Sequence, residues 1–498
     1  MIQICDKAYH KNTDTYTMSE IGIPGIVLME RAAYTLVQEV ISLAEKNDLI
    51  LAVCGIGNNG GDGIAAARIL HLMGYRCDVF LLCGTNGLTR EAEEQLKIAR
   101  NVGVTVVEEM NAAVNRFSDY HILIDAIFGI GLTRDIEEPY RTVIERINAS
   151  ESVVIAADIP SGIDTDTGAV FGTAVRADIT VSFGYGKPGL YLYPGADYAG
   201  KVLVKDIGFV AAGKPEYEMF AYESLREIPL KRRIADSHKG TYGKVLVIAG
   251  FEEMSGACCM AAEAAYRSGA GLVRVFTSEA SMRVLQVRIP ELMVSTYEKP
   301  EWQNDLSMQI SWADVIVIGP GIGTGTCAKQ ALELVLSVQG KNVVLDADAL
   351  NLLAGDLSRL PVGTVLTPHP AELSRLLGIT VSEIKRNRIR NLKEYGIRDD
   401  IVFVCKDART IIAQKQRFCI NLNGNSGMAT GGSGDVLSGV LAALLASGMD
   451  GYEAACAAVY IHSEAGDMAA EVLSEHSMLA TDIIARLPEV FSRIEVEC

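Results

Sequence analysis

The chain has 498 residues, of which 49% are hydrophobic and 21% charged, and it carries a formal net charge of -17. That length exceeds one ordinary domain, and the composition is that of a well-buried globular protein, which excludes a disordered chain. The acidic balance argues against nucleic acid as a partner, because phosphate contacts need clustered Lys and Arg.

In chain order, the opening stretch MIQICDKAYHKNTDTYTM lacks the basic and then apolar signature of a signal peptide. No uncharged stretch reaches the ~18 residues of a spanning helix. The eleven cysteines form no C-x-x-C pair and no zinc-spaced Cys/His arrangement, so they read as reduced core residues. A soluble cytoplasmic protein without a membrane partner is expected. Ser19 to Glu45 then offers Ile26, Met29, Ala33, Leu36, Val37 and Val40 on roughly one helical face. Up to about residue 210, the apolar runs LILAVCG, CDVFLLC, HILIDAIFG, SVVIAADIPSG and ADITVSFGYG alternate with helical patterns. This predicts a doubly wound α/β domain with a largely parallel sheet covered on both faces.

Between the first of these strands and its helix lies CGIGNNGGDG, with G-x-G-x-x-G at Gly55, Gly57 and Gly60. A dinucleotide fingerprint also wants an acid about 20 residues on, at the end of the second strand. Asp78 stands at that strand's start instead, which weakens an oxidoreductase reading. Anion binding at a helix N-terminus survives. So does the plainer reading in which Asn58, Asn59 and Asp62 cap a helix and fill a tight turn. Other strands end in polar residues too: Asp125 in LIDAIFGIGL, and Asp158 and Ser161 in AADIPSG. Parallel strands share one crevice at their carboxyl ends, so these residues are expected to converge with the Asn59 loop. Their oxygens suit a hard cation or a hydroxylated substrate.

NNGGDG, DAIFGIGLTR and DIPSG resemble the NAD(P)H-hydrate epimerase domain, a Rossmann-like three-layer sandwich that inverts the hydroxylated ring carbon of hydrated nicotinamide cofactors. The resemblance runs across nearly all of 1–210. It implies that Asn58, Asn59, Gly60, Gly61 and Asp62, with Gly129, Ile130, Gly131, Leu132, Thr133, Arg134 and Asp135, line the substrate site. It also implies that Asn59, Asp125 and Ser161 hold K⁺ and that Asp158 is the acid/base. Scaffold proteins share the fold without the activity. A scaffold has no evident reason to cluster acids at 62, 125 and 158, where they would repel one another without a cation.

From residue 211, AAGKPEYEMFAYESLREIPLKRR has no strong period, which places a linker at 213–225 between a domain of 1–212 and one of 226–498. A second α/β series follows: GKVLVIAG, a helix from Gly256 to Ser268, LVRVFTS, ADVIVIGPGIG, NVVLDADALN, GTVLTPHPAELSRLLG, IVFVCKDARTIIAQ and a nearly all-helical tail. In NSGMATGGSGDVLSG, glycines at 427, 431, 432 and 434 precede Asp435 and an apolar helical face of Val436, Leu437, Val440, Leu441, Leu444 and Leu445. Glycines at a helix start let backbone N–H groups come close to an anion. A carboxylate in the first turn can then take the proton from a hydroxyl that attacks bound phosphate. An Asp serving only as a cap is the plain alternative. No P-loop exists, since GTYGKV breaks the pattern at Val245.

GSGD resembles the anion hole and catalytic Asp of the ribokinase-like superfamily. HKGTYGKVLVIAG, SGAGLVRV, GPGIG, DADALN, TPHPAE and NSGMATGGSGDVL, in that order over about 230–490, resemble the ADP- or ATP-dependent NAD(P)H-hydrate dehydratase. In that family the nucleotide phosphorylates the hydrate's hydroxyl and phosphate loss restores the ring, with Mg²⁺ offsetting phosphate charge. The resemblance makes Asp435 the base and Gly431, Gly432, Ser433 and Gly434 the anion hole. It places Ala270, Gly321 and His369 on the hydrate, and Lys406, Asp407, Ala408, Arg409 and Thr410 on the nucleotide. By themselves, a His after a strand is as readily structural, and small residues mean only close packing. Asp407 stands where the family has glycine, and Ser426 where it has proline. The whole reads as a bifunctional enzyme acting on NADHX and NADPHX with ADP or ATP, using K⁺ in one half and Mg²⁺ in the other, and forming a homo-oligomer. The alternative is a vitamin or alcohol kinase with a non-catalytic N-terminal module.

Overall fold

Alternating apolar strands and helices build two α/β units, one of residues 2–218 and one of 219–498 with Met1. The computed structural model describes residues 1–82, 84–110, 114, 116–394 and 398–497. The division falls inside the expected 213–225 segment, although Glu218–Ala221 is a short strand there rather than open linker.

The first unit contains β1 (Leu49–Cys54), β2 (Arg76–Leu81), β3 (Val106–Val107), β4 (Ile122–Ala126), β5 (Val153–Ala157), β6 (Ile179–Phe183) and β7 (Lys201–Lys205). They pair in parallel in the order β3-β2-β1-β4-β5-β6-β7. Helices on both faces explain why β1 and β4 are almost wholly buried and read as unbroken apolar runs. Strand order reverses between β1 and β4, and in such sheets a crevice opens beyond the strand ends at that point.

Three helices frame that crevice: α1 (Lys7–Ser19), α2 (Gly25–Leu43) and α3 (Asn58–Leu72). On α2, Met29, Ala33, Leu36, Val37 and Val40 are buried, as their spacing predicts. The first turns of α3 are small because they are pressed against the preceding loop's backbone and a side chain of α2. A Cβ at Gly60 would lie 1.9 Å from Gly55 O, and one at Gly61 2.5 Å from Met29 Cε.

The second unit contains β8 (Lys244–Ile248), β9 (Leu272–Thr277), β10 (Met293–Thr296), β11 (Val315–Ile318), β12 (Asn342–Leu345), β13 (Thr364–Leu366), β14 (Val402–Cys405), β15 (Ile411–Gln414) and β16 (Arg417–Ile420). Their order is β16-β15-β14-β13-β12-β11-β8-β9-β10. All pair in parallel except β15, which is antiparallel to both neighbours. The helices that matter for the site are α4 (Ser255–Arg267), α5 (Pro370–Leu377), α6 (Ser433–Ala446) and α7 (Gly451–Leu473). Gly439 lets α6 lie against α4, since a Cβ there would sit 2.2 Å from Ala261 O. Nine cysteines are unpaired thiols, while Cys83 and Cys498 lie outside the described residues. Among the described residues, no helix is long and apolar enough to cross a membrane.

Candidate functional site

In the first unit a cleft of about 550 Å³ opens beyond the ends of β1, β4 and β5. Asn58, Asn59, Asp62, Gly129, Ile130, Gly131 and Asp158 line it, with Phe183, Ile207 and Phe209 as an apolar wall. Gly60 and Gly61 are buried behind this surface as packing glycines. Leu132 continues the loop, accepting a bond from Lys7 Nζ at 2.9 Å through its carbonyl. Thr133, Arg134 and Asp135 are exposed beyond the cleft lining.

Asp125, at the end of β4, is fully buried. Its carboxylate accepts from Ser161 Oγ at 2.6 Å, Ser161 N at 2.8 Å and Ile127 N at 3.2 Å. Burial raises it to about 6, and those hydrogen bonds hold it down from going further. Phe128 N donates to Ser161 Oγ at 2.8 Å, and the next residue, Gly129, abuts Asn59: a Cβ at 129 would lie 3.3 Å from Asn59 Cγ. The Oδ1 and Nδ2 atoms of Asn59 are buried without a hydrogen-bond partner. A buried, unpartnered carboxamide beside one carboxylate and a hydroxyl fits a weakly charged, all-oxygen cation site.

Asp158 follows β5 in a left-handed conformation, φ 68°, which is unfavourable for a non-glycine residue and common where function demands it. Its Oδ1 lies 2.7 Å from Lys187 Nζ and accepts from Phe183 N at 3.2 Å. Lys187 is fully buried and also donates to Ser182 Oγ at 2.7 Å. Burial lowers its pKa and the Asp158 carboxylate counters that. From α1, His10 faces the same place with Nε2 unpartnered, and burial lowers it to about 3, so it is a neutral imidazole. Asp14 is raised by burial and by Asp158. Asp62, on α3, stands well above the usual carboxylate range because of burial, Asp158 and Asp14.

In the second unit the glycine run ends in a left-handed Gly432, φ 97°, which caps α6. The φ favours glycine, and a Cβ there would lie 2.3 Å from Met260 Sδ and push that side chain aside. Asp435 sits in the first turn of α6, and burial with the Asp346 charge pushes it up to about 7 against the pull of Lys406. Asp346, at the end of β12, is 1% exposed and accepts from Lys406 Nζ at 2.7 Å, Ser438 Oγ at 2.8 Å and Ala347 N at 2.9 Å. Lys406 reaches under the glycines, 3.2 Å from where a Gly434 Cβ would be. Gly431 has open space around it. Ser433 Oγ lies 3.4 Å from the Nε2 of His462, which burial lowers to about 4.

His369 caps α5, with Nδ1 accepting from Ala371 N at 3.1 Å and Glu372 N at 3.4 Å. It therefore has a structural job as an acceptor, and it is also half-exposed with Nε2 3.3 Å from Glu372 Oε1. Asp407 is paired with Arg388 at 3.0 Å and accepts from Ala408 N at 2.8 Å. The same strand-end loop carries Arg409, which donates to Leu422 O, and Thr410, which donates to Asp407 O at 3.3 Å. Gly321 has φ 60° and packs on Met254 and Ala257 at the start of α4. Ala270 is buried in the apolar core, and among the described residues no hydrogen bond ties it to the Asp435 group. Sequence reasoning missed Lys187, His10, Asp14 and Asp346. Lys187 in GYGKPGL and Asp346 in DADALN follow strands and were findable, whereas α1 buries polar Tyr9, His10, Thr13 and Thr17 and has no apolar stripe.

Residues 245–489 match the family model described as NAD(P)H-hydrate dehydratase, and residues 25–189 match that described as YjeF-related protein N-terminus. The chain is 37% identical over 497 residues to a bifunctional NAD(P)H-hydrate repair enzyme of Thermofilum pendens, covering 96% of this chain and 94% of that one. It is 38% identical over 478 residues to that of Coxiella burnetii, covering 94% and 95%. A solved ribokinase-like superfamily protein from Enterococcus faecalis aligns with a TM-score of 0.51 at 34% identity, covering 55% of this chain and 96% of that one.

Proposed function

This chain belongs to the family of bifunctional NAD(P)H-hydrate repair enzymes, and from that premise we propose that each unit carries one of the two activities on its own site. The first unit inverts the hydroxylated ring carbon of hydrated NADH or NADPH. The second uses ADP or ATP to dehydrate one epimer back to the reduced cofactor. The observation that carries this reading is Asp435, a half-buried carboxyl raised to about 7 in the first turn of a glycine-capped helix, with Lys406 at its side.

In the second unit, Gly431 to Gly434 present backbone N–H groups to the transferred phosphoryl group. Asp435 takes the proton of the hydrate's hydroxyl as that oxygen attacks phosphorus and the nucleotide departs. The phosphorylated oxygen then leaves as phosphate while the neighbouring ring carbon loses a proton, restoring the ring double bond. Lys406 and the Lys406 to Thr410 loop hold phosphates, and Mg²⁺ brought with the nucleotide would offset their charge. Asp407 is already engaged by Arg388, so it bears on which nucleotide is preferred.

In the first unit the apolar wall of Phe183, Ile207 and Phe209 suits a nicotinamide ring, and Asp158 acts on the hydroxylated carbon. Asn59, Asp125 and Ser161 would hold K⁺, whose charge would relieve the buried Asp125. The unpaired thiols fit a reducing, cytoplasmic address, and assembly as a homo-oligomer belongs to the same proposal. The test is to mix the protein with both epimers of hydrated NADH, Mg²⁺ and K⁺, with ADP, with ATP and with neither. Full recovery of NADH absorbance with one nucleotide is expected. Recovery stopping at one epimer's share removes the first unit's role, and no recovery sends the second unit to vitamin-like alcohols as kinase substrates.

A further inference from the structure

The first-unit cleft holds more ionisable groups than a single acid/base needs. His10, Lys11, Asp14, Asp62, Glu91 and Asp158 face it, and Lys187 lies behind Asp158. Two of the carboxyl groups are placed in opposite electrostatic surroundings. Asp158 is the carboxylate half of an ion pair, 2.7 Å from a fully buried ammonium. Asp62 comes from a different element, the first turns of α3, is 9% exposed, and among the described residues accepts no hydrogen bond and meets no cation. Its charged neighbours are Asp158 and Asp14, both acids. A buried carboxyl facing only acids keeps its proton, and one facing an ammonium gives it up. His10 is neutral, with its Nε2 unpartnered, so it does not supply the missing cation.

Building on the epimerase reading of this cleft, we propose that Asp62 is a second catalytic residue, a general acid that expels the hydrate's hydroxyl while Asp158 serves as base for the water that replaces it. The Asp62 proton goes to the ring hydroxyl, the C–O bond breaks with its electron pair on oxygen, and water leaves. The adjacent ring nitrogen's lone pair forms the carbon–nitrogen double bond. A water on the opposite ring face then bonds to that carbon, gives its proton to Asp158, and returns the electron pair to nitrogen. The proton passes back from Asp158 to Asp62 through solvent, or the reverse inversion uses it directly. Each inversion therefore exchanges the hydroxyl oxygen with water and consumes no nucleotide.

The experiment uses the full-length chain carrying Asp435→Asn, so that dehydration does not compete, with one resolved epimer of hydrated NADH in ¹⁸O-labelled water. Inversion is followed by chromatography and label by mass spectrometry, against an enzyme-free control. One ¹⁸O per inversion is expected. Adding Asp62→Asn, which breaks no ion pair, should slow inversion and exchange together by roughly 100-fold or more. Asp62→Glu, which restores the acid, should recover at least part of that loss. Inversion with the original oxygen retained overturns the proposal, as does an unchanged rate in Asp62→Asn or an equal loss in both variants. If the parent chain inverts neither epimer, the epimerase reading itself fails, which is a separate result.

Discussion

Burial and the Asp346 carboxylate set Asp435 at about 7, and Lys406 keeps it from going higher. A base must be deprotonated to act, so the rate of nucleotide-driven dehydration should climb as pH rises through about 7 and level off above it. Asp346→Asn should move that limb to lower pH and Lys406→Met to higher pH, both read from pH–rate profiles. Asp435→Asn should cost dehydration about 100-fold or more and leave epimer inversion unchanged. The same substitution bears on stability with a definite sign. A carboxyl raised in the fold binds a proton that the unfolded chain has released above about 4, so stability falls as pH rises from there through about 7. Asp435→Asn should accordingly stabilise the second unit at pH 8 by about 1–2 kcal/mol, measured by denaturant titration. At the other site Asp158→Asn should stop inversion while sparing dehydration of the accepted epimer, because the two acids lie on different units.

At the scale of elements, the two glycine-rich helix starts look alike in sequence and differ in structure. Around α3, Gly55 and Gly60 are pressed against backbone and Gly61 and Gly63 against side chains, so these four are packing devices, and the polar Asn58, Asn59 and Asp62 make the surface. Around α6, Gly431 faces open space and Gly432 supplies a left-handed cap, which leaves N–H groups free for an anion. Gly432→Ala meets Met260 Sδ at 2.3 Å and strains a φ of 97°, so it should cost about 1–3 kcal/mol and abolish dehydration without slowing inversion. The check is a paired assay of both reactions on one preparation. The antiparallel turn of β15 has a different lesson. IVFVCKDARTIIAQ reads as a strand, a loop and another strand, and nothing in its periodicity says which way the second returns. The short KDART connection does, since parallel neighbours need a longer crossover.

For the whole molecule, two units with separate cores should unfold as two calorimetric transitions. Saturating ADP or ATP should raise only one of them, by about 2.7 kcal/mol at a hundred times its dissociation constant. A shift of both transitions would mean that the units are coupled. The number of units, their doubly wound character, the strands that lead to Asp125 and Asp158 and the helix start that carries Asp435 were legible in the chain, because alternating apolar runs and glycine-marked helix starts are local features with a short physical range. Residue spacing also placed Asp125, Ser161 and the helix start that carries Asn59 beyond neighbouring strands, since parallel strands align their termini. Only the tertiary structure decided the chemistry of those acids. Lys187 lies 29 positions from Asp158, and Lys406 lies 60 from Asp346, yet each is brought to 2.7 Å by the sheet. Helix α1 has no apolar stripe, yet it buries Tyr9, His10, Thr13 and Thr17 because that face closes the cleft, and it brings His10 and Asp14 with it. A protonation state depends on burial and on which charges face the group, and both are set by residues far apart in the chain.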